Sequence, residues 1–239
     1  MMTVEDLITA VRAQLLDFGE LPEGLSHVDR RIPGTAFFPG GDGVIKPRDI
    51  AALPDIMVVG RDFGTLEYLQ DCLRMGEERP SQPTWRPLLS RIRAADIDPH
   101  RCYFTNAFVG FRRAGGNTDF CCDHDSDEFR ERCRALLQFQ VLQLRPRAIV
   151  ALGKDVPSFL GTLSPDLGRW ANCKRFPDMD AAGPLIRGAS FGAYRSNVCV
   201  LVHPSKSWLN ERARWYVDSS GYRHTGAAAE IAILRDAIA

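Results

Sequence analysis

Four short stretches constrain this chain more than any other feature: Asp55 to Gly60 (DIMVVG), Cys102 to Ala107 (CYFTNA), Ala148 to Gly153 (AIVALG) and Val198 to His203 (VCVLVH). Each carries apolar side chains on both faces. A strand with one wet face alternates apolar and polar residues, whereas a parallel strand covered on two sides does not. Helical patterns separate them, at Leu66 to Met75, Trp85 to Ala95, Asp127 to Leu144 and Asp155 to Leu160, and an amphipathic stretch from Gly226 to Ile238 closes the chain. Parallel neighbours need crossovers of about a dozen residues or more, and these helices supply them. The expected fold class is therefore α/β: a three-layer α/β/α sandwich with a mainly parallel central sheet of about four strands.

Composition narrows the function. The 239 residues carry 30 Lys+Arg against 30 Asp+Glu, so any surface for a polyanion must be local. The length suits a single domain over residues 1–239, with its motif-bearing core at about 54–209. The longest apolar runs, Ile56 to Val59 and Ala148 to Leu152, fall far short of the roughly 20 residues that span a bilayer. Met1 to Phe18 (MMTVEDLITAVRAQLLDF) has acids where a secretory signal needs bases, and its apolar residues are periodic, so it reads as a helix. A cytoplasmic monomer with no membrane partner is expected. Seven scattered cysteines (Cys72, Cys102, Cys121, Cys122, Cys133, Cys173, Cys199) favour reduced thiols over a disulfide framework. Two long irregular regions, Leu21 to Leu53 and Ser164 to Asn197, are of a length that usually serves function or motion.

Open α/β sheets bind ligands at the carboxyl ends of their strands. Asp62 follows the first stretch in GRDFGT, Asn106 ends the second in YFTNAF, and His203 ends the fourth in LVHPSKSW. An acid, an amide and an imidazole on one edge supply an electrostatic stabiliser or base, a two-way hydrogen-bonding reader and a donor to a developing anion. Singly, each also reads as a helix cap or a turn residue. Cys121, Cys122 and His124, with Cys133 further on, raise the question of metal. Structural zinc sites use spacings such as CxxC, so DHDSDEF reads instead as an acidic loop and a helix start capped by Ser126 or Asp127, and no metal is expected.

GRDFGT resembles the first motif of the uracil-DNA glycosylase superfamily, whose best-known form is GQDPYH, and LVHPSKSW resembles the second, a strand ending in His-Pro-Ser. YFTNAFVGFRR and ERCRALLQFQVLQLRPRAIVALG are similar to the iron-sulfur members. The resemblance covers roughly Pro54 to Leu209, in order. It implies catalytic roles for Asp62 and His203 and base-binding roles for Asn106, Phe63, Gly60 and Gly64. DNA contacts are implied at Ser205, Lys206, Ser207, Trp208, Leu209, Arg112 and Arg113. Trp208 or Leu209 would fill the gap left by a flipped nucleotide, with Lys206, Arg212 and Arg214 near phosphates. Alternatively Trp208 and Trp215 anchor the loop and the charges are solvated, and Arg112 and Arg113 form a surface turn. Phe63 is the nearest stacking aromatic, with Trp85 and Phe111 as rivals.

Departures from the pattern carry information too. Phe63 replaces the usual Pro. Gly64 stands where the best-known branch has a Tyr that blocks the thymine methyl. Of the four cysteines that hold a cluster in the iron-sulfur branch, Cys133 alone matches, and Gly110 takes another ligand's place, so no cofactor is expected. The resemblance implies hydrolysis of the N-glycosidic bond of uracil or another deaminated base in DNA by base flipping. Two alternatives stand beside it: an idle nucleic-acid or nucleobase binder of the same fold, and a nucleoside or nucleotide N-glycosidase.

Overall fold

The computed structural model describes residues 3–27, 53–76, 78–113 and 127–239. Residues 28–52, most of the first irregular region, and 114–126, with Cys121, Cys122, His124 and Ser126, lie outside them. In chain order the elements are α1 (Val4–Leu16), β1 (Leu25–Ser26), β2 (Ile56–Gly60), α2 (Leu66–Met75), α3 (Trp85–Ala94), β3 (Cys102–Asn106), β4 (Phe111–Arg112), α4 (Asp127–Leu144), β5 (Ala148–Leu152), α5 (Val156–Leu160), α6 (Phe176–Ala182), β6 (Leu185–Phe191), β7 (Tyr194–Leu201), α7 (Ser207–Asn210), β8 (Trp215–Val217), β9 (Arg223–Thr225) and α8 (Ala227–Ile238).

The central sheet has five strands in the order β3-β2-β5-β7-β6. The first four run parallel, with Gly60 level with Asn106 and Leu152 level with Leu201. Alternate residues point to opposite faces, as the pleat requires. Met57, Val59, Tyr103, Ile149, Ala151, Val198 and Val200 pack with α1, α2, α4 and α5 on one side. Ile56, Val58, Phe104, Val150, Leu152, Cys199 and Leu201 pack with α3 and α8 on the other. The expected three layers are thus present, and the chain has its polar strand ends on one edge.

Local chemistry explains the helix starts. Thr3 and Asp6 form a reciprocal capping box at α1, at 2.8 and 3.1 Å, ahead of buried Val4, Leu7, Val11 and Leu15. Thr65 accepts from the Tyr68 N–H at 3.2 Å to open α2, and Gly76, at φ 74°, ends it in the left-handed conformation.

The fifth strand is a departure from the expected sheet. It lies in the second irregular region and pairs antiparallel with β7, with a register shift between Ile186 and Ala189. Exposed Arg187 and Gly188, at φ 62°, fall inside that bulge and interrupt the alternation that would mark an edge strand. The fourth stretch also begins earlier than expected and stops at Leu201, which leaves Val202 and His203 beyond the ladder. Among the described residues no helix is long and apolar enough to cross a membrane.

Candidate active site

The first corner of the site is the turn after β2. Asp62, with its side chain almost wholly buried, accepts from the Gly64 N–H at 2.8 Å on Oδ1 and from Arg61 Nε at 2.7 Å on Oδ2, and Arg112 Nε lies 3.5 Å from Oδ1. Gly64 sits at φ 90°, a conformation that strains any side chain, and a Cβ there would lie 3.4 Å from Tyr68. A tyrosine of the kind the best-known branch carries would be unfavourable at this position. Arg61 reaches on to Asp155 at the start of α5, 3.4 Å away, and so ties the ends of β2 and β5 together.

β3 delivers Asn106 beside this turn. The Ala107 N–H donates to the Gly60 carbonyl and the Phe108 N–H to that of Arg61, both at 2.9 Å, which continues the β2–β3 ladder past the strand ends. Asn106 is buried. Gly153 follows β5, and its φ of 89° and missing side chain leave room for His203: a Cβ there would lie 3.4 Å from the His203 Cβ. His203 follows β7, its Nδ1 2.9 Å from Ser205 Oγ. Burial lowers its pKa to about 4, with Asp62 pulling upward and Arg61, Lys206 and Arg91 pushing down. The imidazole is therefore neutral at pH 7 and feels the Asp62 charge. By strand spacing alone, four neighbouring strands about 4.8 Å apart put the ends that carry Asn106 and His203 roughly 14 Å apart, with Asp62 between.

The structure separates the other expected site residues. Phe63 is buried and tilted against Phe111, ring centroids 5.6 Å apart. Trp85 is wholly buried on the opposite face of the sheet, edge-on to Phe104 at 5.0 Å, so packing is its role. Arg112, expected at DNA or in a surface turn, is instead a buried guanidinium beside Asp62. Arg113 is exposed, its Nε donating to Ser26 Oγ at 3.0 Å. Arg214, expected near phosphates, is instead fully buried between Asp180 and Glu230. Ser205 is drawn to the imidazole, and Ser207 opens α7. Trp208 and Leu209 stand 72% and 53% exposed at the tip of the loop, beside half-buried Lys206 and exposed Arg212. Trp215, by contrast, packs, with the Arg223 guanidinium 5.0 Å over its ring.

Sequence reasoning passed over Arg61, Arg91, Asp180, Glu211 and Glu230. One signal was available: Glu230 falls on the apolar stripe of the last helix, between Ala229 and Ile233, where an acid needs a buried partner.

The fold is an open α/β sandwich with an acid, an amide and a neutral imidazole on the carboxyl edge of one sheet. The Uracil DNA glycosylase superfamily profile matches residues 47–219, and the chain belongs to that superfamily. Its members are mostly glycosylase hydrolases, and membership implies a DNA glycosylase with DNA as its partner. No match was found among curated proteins. The iron-sulfur cluster of some relatives does not fit this chain. Cys133 is buried in α4, and Gly110 holds φ 105°, a backbone conformation that strains any side chain, with Leu21 3.2 Å from where a Cβ would lie, so a cysteine ligand is disfavoured there. Among the described residues no group of His, Cys, Asp and Glu is arranged to hold a metal ion.

Proposed function

We propose that the protein hydrolyses the N-glycosidic bond of uracil, or another deaminated base, in DNA after flipping the nucleotide out of the stack, as a first step of base excision repair. The observation that carries this reading is the position of Asp62, Asn106 and His203 at or just past the carboxyl ends of β2, β3 and β7, three parallel strands of one sheet, within the matched residues.

As the bond from C1′ to the base nitrogen breaks, its electron pair leaves with the base and the sugar becomes oxocarbenium-like. Asp62, held by Arg61 and the Gly64 N–H, favours that positive charge as a fixed carboxylate. A water oxygen then bonds to C1′, and the proton it sheds neutralises the departing base anion. The proposed chemistry needs the tautomer in which Ser205, 2.9 Å from Nδ1, donates to it, so that the neutral ring carries its proton on Nε2 and donates to the carbonyl that gains charge. Asn106 accepts from a ring N–H and donates to a carbonyl, the complement of a uracil edge and not of cytosine. Phe63, backed by Phe111, is the stacking surface. Exposed Trp208 or Leu209 fills the vacated step, with Lys206, Arg212 and Arg113 toward phosphates.

The test is to incubate single- and double-stranded oligonucleotides bearing uracil, hypoxanthine or xanthine, then treat them with alkali. Strand cleavage at the modified base is expected. Wild-type protein that leaves every such substrate intact overturns the proposal. One observation favours a second reading, an idle nucleobase binder: both Asp62 oxygens are already engaged. Binding that survives Asp62→Ala, with no turnover by the wild type, is its signature.

A further inference from the structure

Beneath the loop that bears His203 lies a group of charges that the proposed chemistry does not use. Arg214, Asp180 and Glu230 are wholly buried and Arg91 nearly so. Arg214 Nη1 lies 2.6 Å from Glu230 Oε1, its Nε 2.9 Å from Asp180 Oδ1, and Arg91 Nη1 3.6 Å from Glu230 Oε2. Taking such groups out of water is costly, and apolar replacements of similar volume often serve stability as well or better. Their contacts with the backbone suggest what they specify instead.

We infer that this cluster, with Glu230 at its centre, is the positioning device for His203. The β7 ladder ends at Leu201, and the next residue is gripped from both sides. The Val202 N–H donates to Glu230 at 3.0 Å, and the Val202 carbonyl accepts from Arg91 Nη1 at 3.2 Å. Both peptide planes flanking Val202 are thereby fixed, and with them the direction in which His203 leaves the strand. The far end of the loop is held by the same charges. Arg91 Nη2 donates to Glu211 at 3.2 Å, Arg214 Nη2 to the Val200 carbonyl at 3.0 Å, and the Trp215 N–H donates to Asp180 at 3.0 Å. One cluster thus pins both feet of the segment that has the imidazole at its start and Trp208 at its tip. Burial pushes the Glu230 and Asp180 carboxyls up, and Arg214 draws both back. Glu230 belongs to α8, beyond residue 219 where the family match ends, so this chain's own last helix supplies the support.

The effect on rate rests on the glycosylase reading, whereas the effect on the ring does not. Glu230→Gln is compared with wild type by nitrogen-15 NMR of the His203 ring, by single-turnover cleavage of a uracil oligonucleotide and by affinity for an oligonucleotide bearing an abasic-site analogue. Displaced ring signals, a cleavage rate at least about ten-fold lower and an affinity within about two-fold of wild type are expected, because small misplacements cost chemistry more than binding. Wild-type ring signals and rate, with only a lower melting temperature, overturn the inference. Should Glu230→Gln not fold, Arg91→Gln removes the Val202 carbonyl and Glu211 contacts and is read the same way. If the wild type cleaves nothing, the glycosylase reading fails and the ring signals alone decide the positioning role.

Discussion

The two chemical ends of the site are held in opposite ways. Asp62 is fixed by its own neighbourhood, through Arg61, Gly64 and the nearby strand residue Arg112, and its environment is crowded with positive charge. His203 touches one hydroxyl at its ring, is kept neutral by burial, and has its backbone set by residues from α3 and α8. An anion at one end can be built from a six-residue motif. A neutral donor at the other needs a dry wall and a rigid frame, which come from distant parts of the chain.

Removing part of that frame tests the contrast most severely. Asp180→Ala leaves Arg214 buried with one partner fewer, and is expected to lower unfolding free energy by about 3 to 5 kcal/mol in denaturant titrations. A loss below about 1 kcal/mol, the scale of an exposed pair, would show that the cluster is not the frame. His203→Ala removes the donor and leaves the frame intact, so stability is retained while the single-turnover rate falls by about 2.7 to 4 kcal/mol of transition-state stabilisation. Asp62→Asn should likewise reduce turnover more than binding.

Acid sharpens the comparison further. The His203 pKa is near 6.5 in the unfolded chain and about 4 in the folded one, so between those values the unfolded state binds more protons. Keeping the ring neutral costs nothing above pH 6.5, and the fold is progressively destabilised by it as pH falls toward 4. Over that window the difference between wild type and His203→Gln should slope by about 1.4 kcal/mol per pH unit. Parallel curves would mean that the ring is not held neutral by folding. The smallest effect belongs to the loop surface. Lys206→Gln should reduce the dependence of log affinity on log salt by about one, equally for all DNA sequences.

How much of this was legible beforehand follows the same divide. The four covered strands and six of the helices could be read because burial on both faces and helical period leave marks in every residue. Asp62, Asn106 and His203 could be placed on one edge because each ends such a strand or lies within two residues of its end. The bulged edge strand escaped because Gly188 breaks its alternation. Arg112 and Arg214 were read as surface charges because arginine usually is exposed, and only tertiary structure shows the carboxylates that accompany them inside. Long-range ion pairs have no sequence period, so the support of His203 had no local signal beyond one acid on an apolar stripe.

A crystal of the protein soaked with free uracil examines most directly whether the three strand-end side chains serve one base. The ring should lie with an edge on the Asn106 amide and a carbonyl oxygen within hydrogen-bond distance of His203 Nε2, with Asp62 facing the nitrogen that would carry the sugar. Uracil bound away from that edge, or an edge that stays empty at saturating ligand, would contradict it.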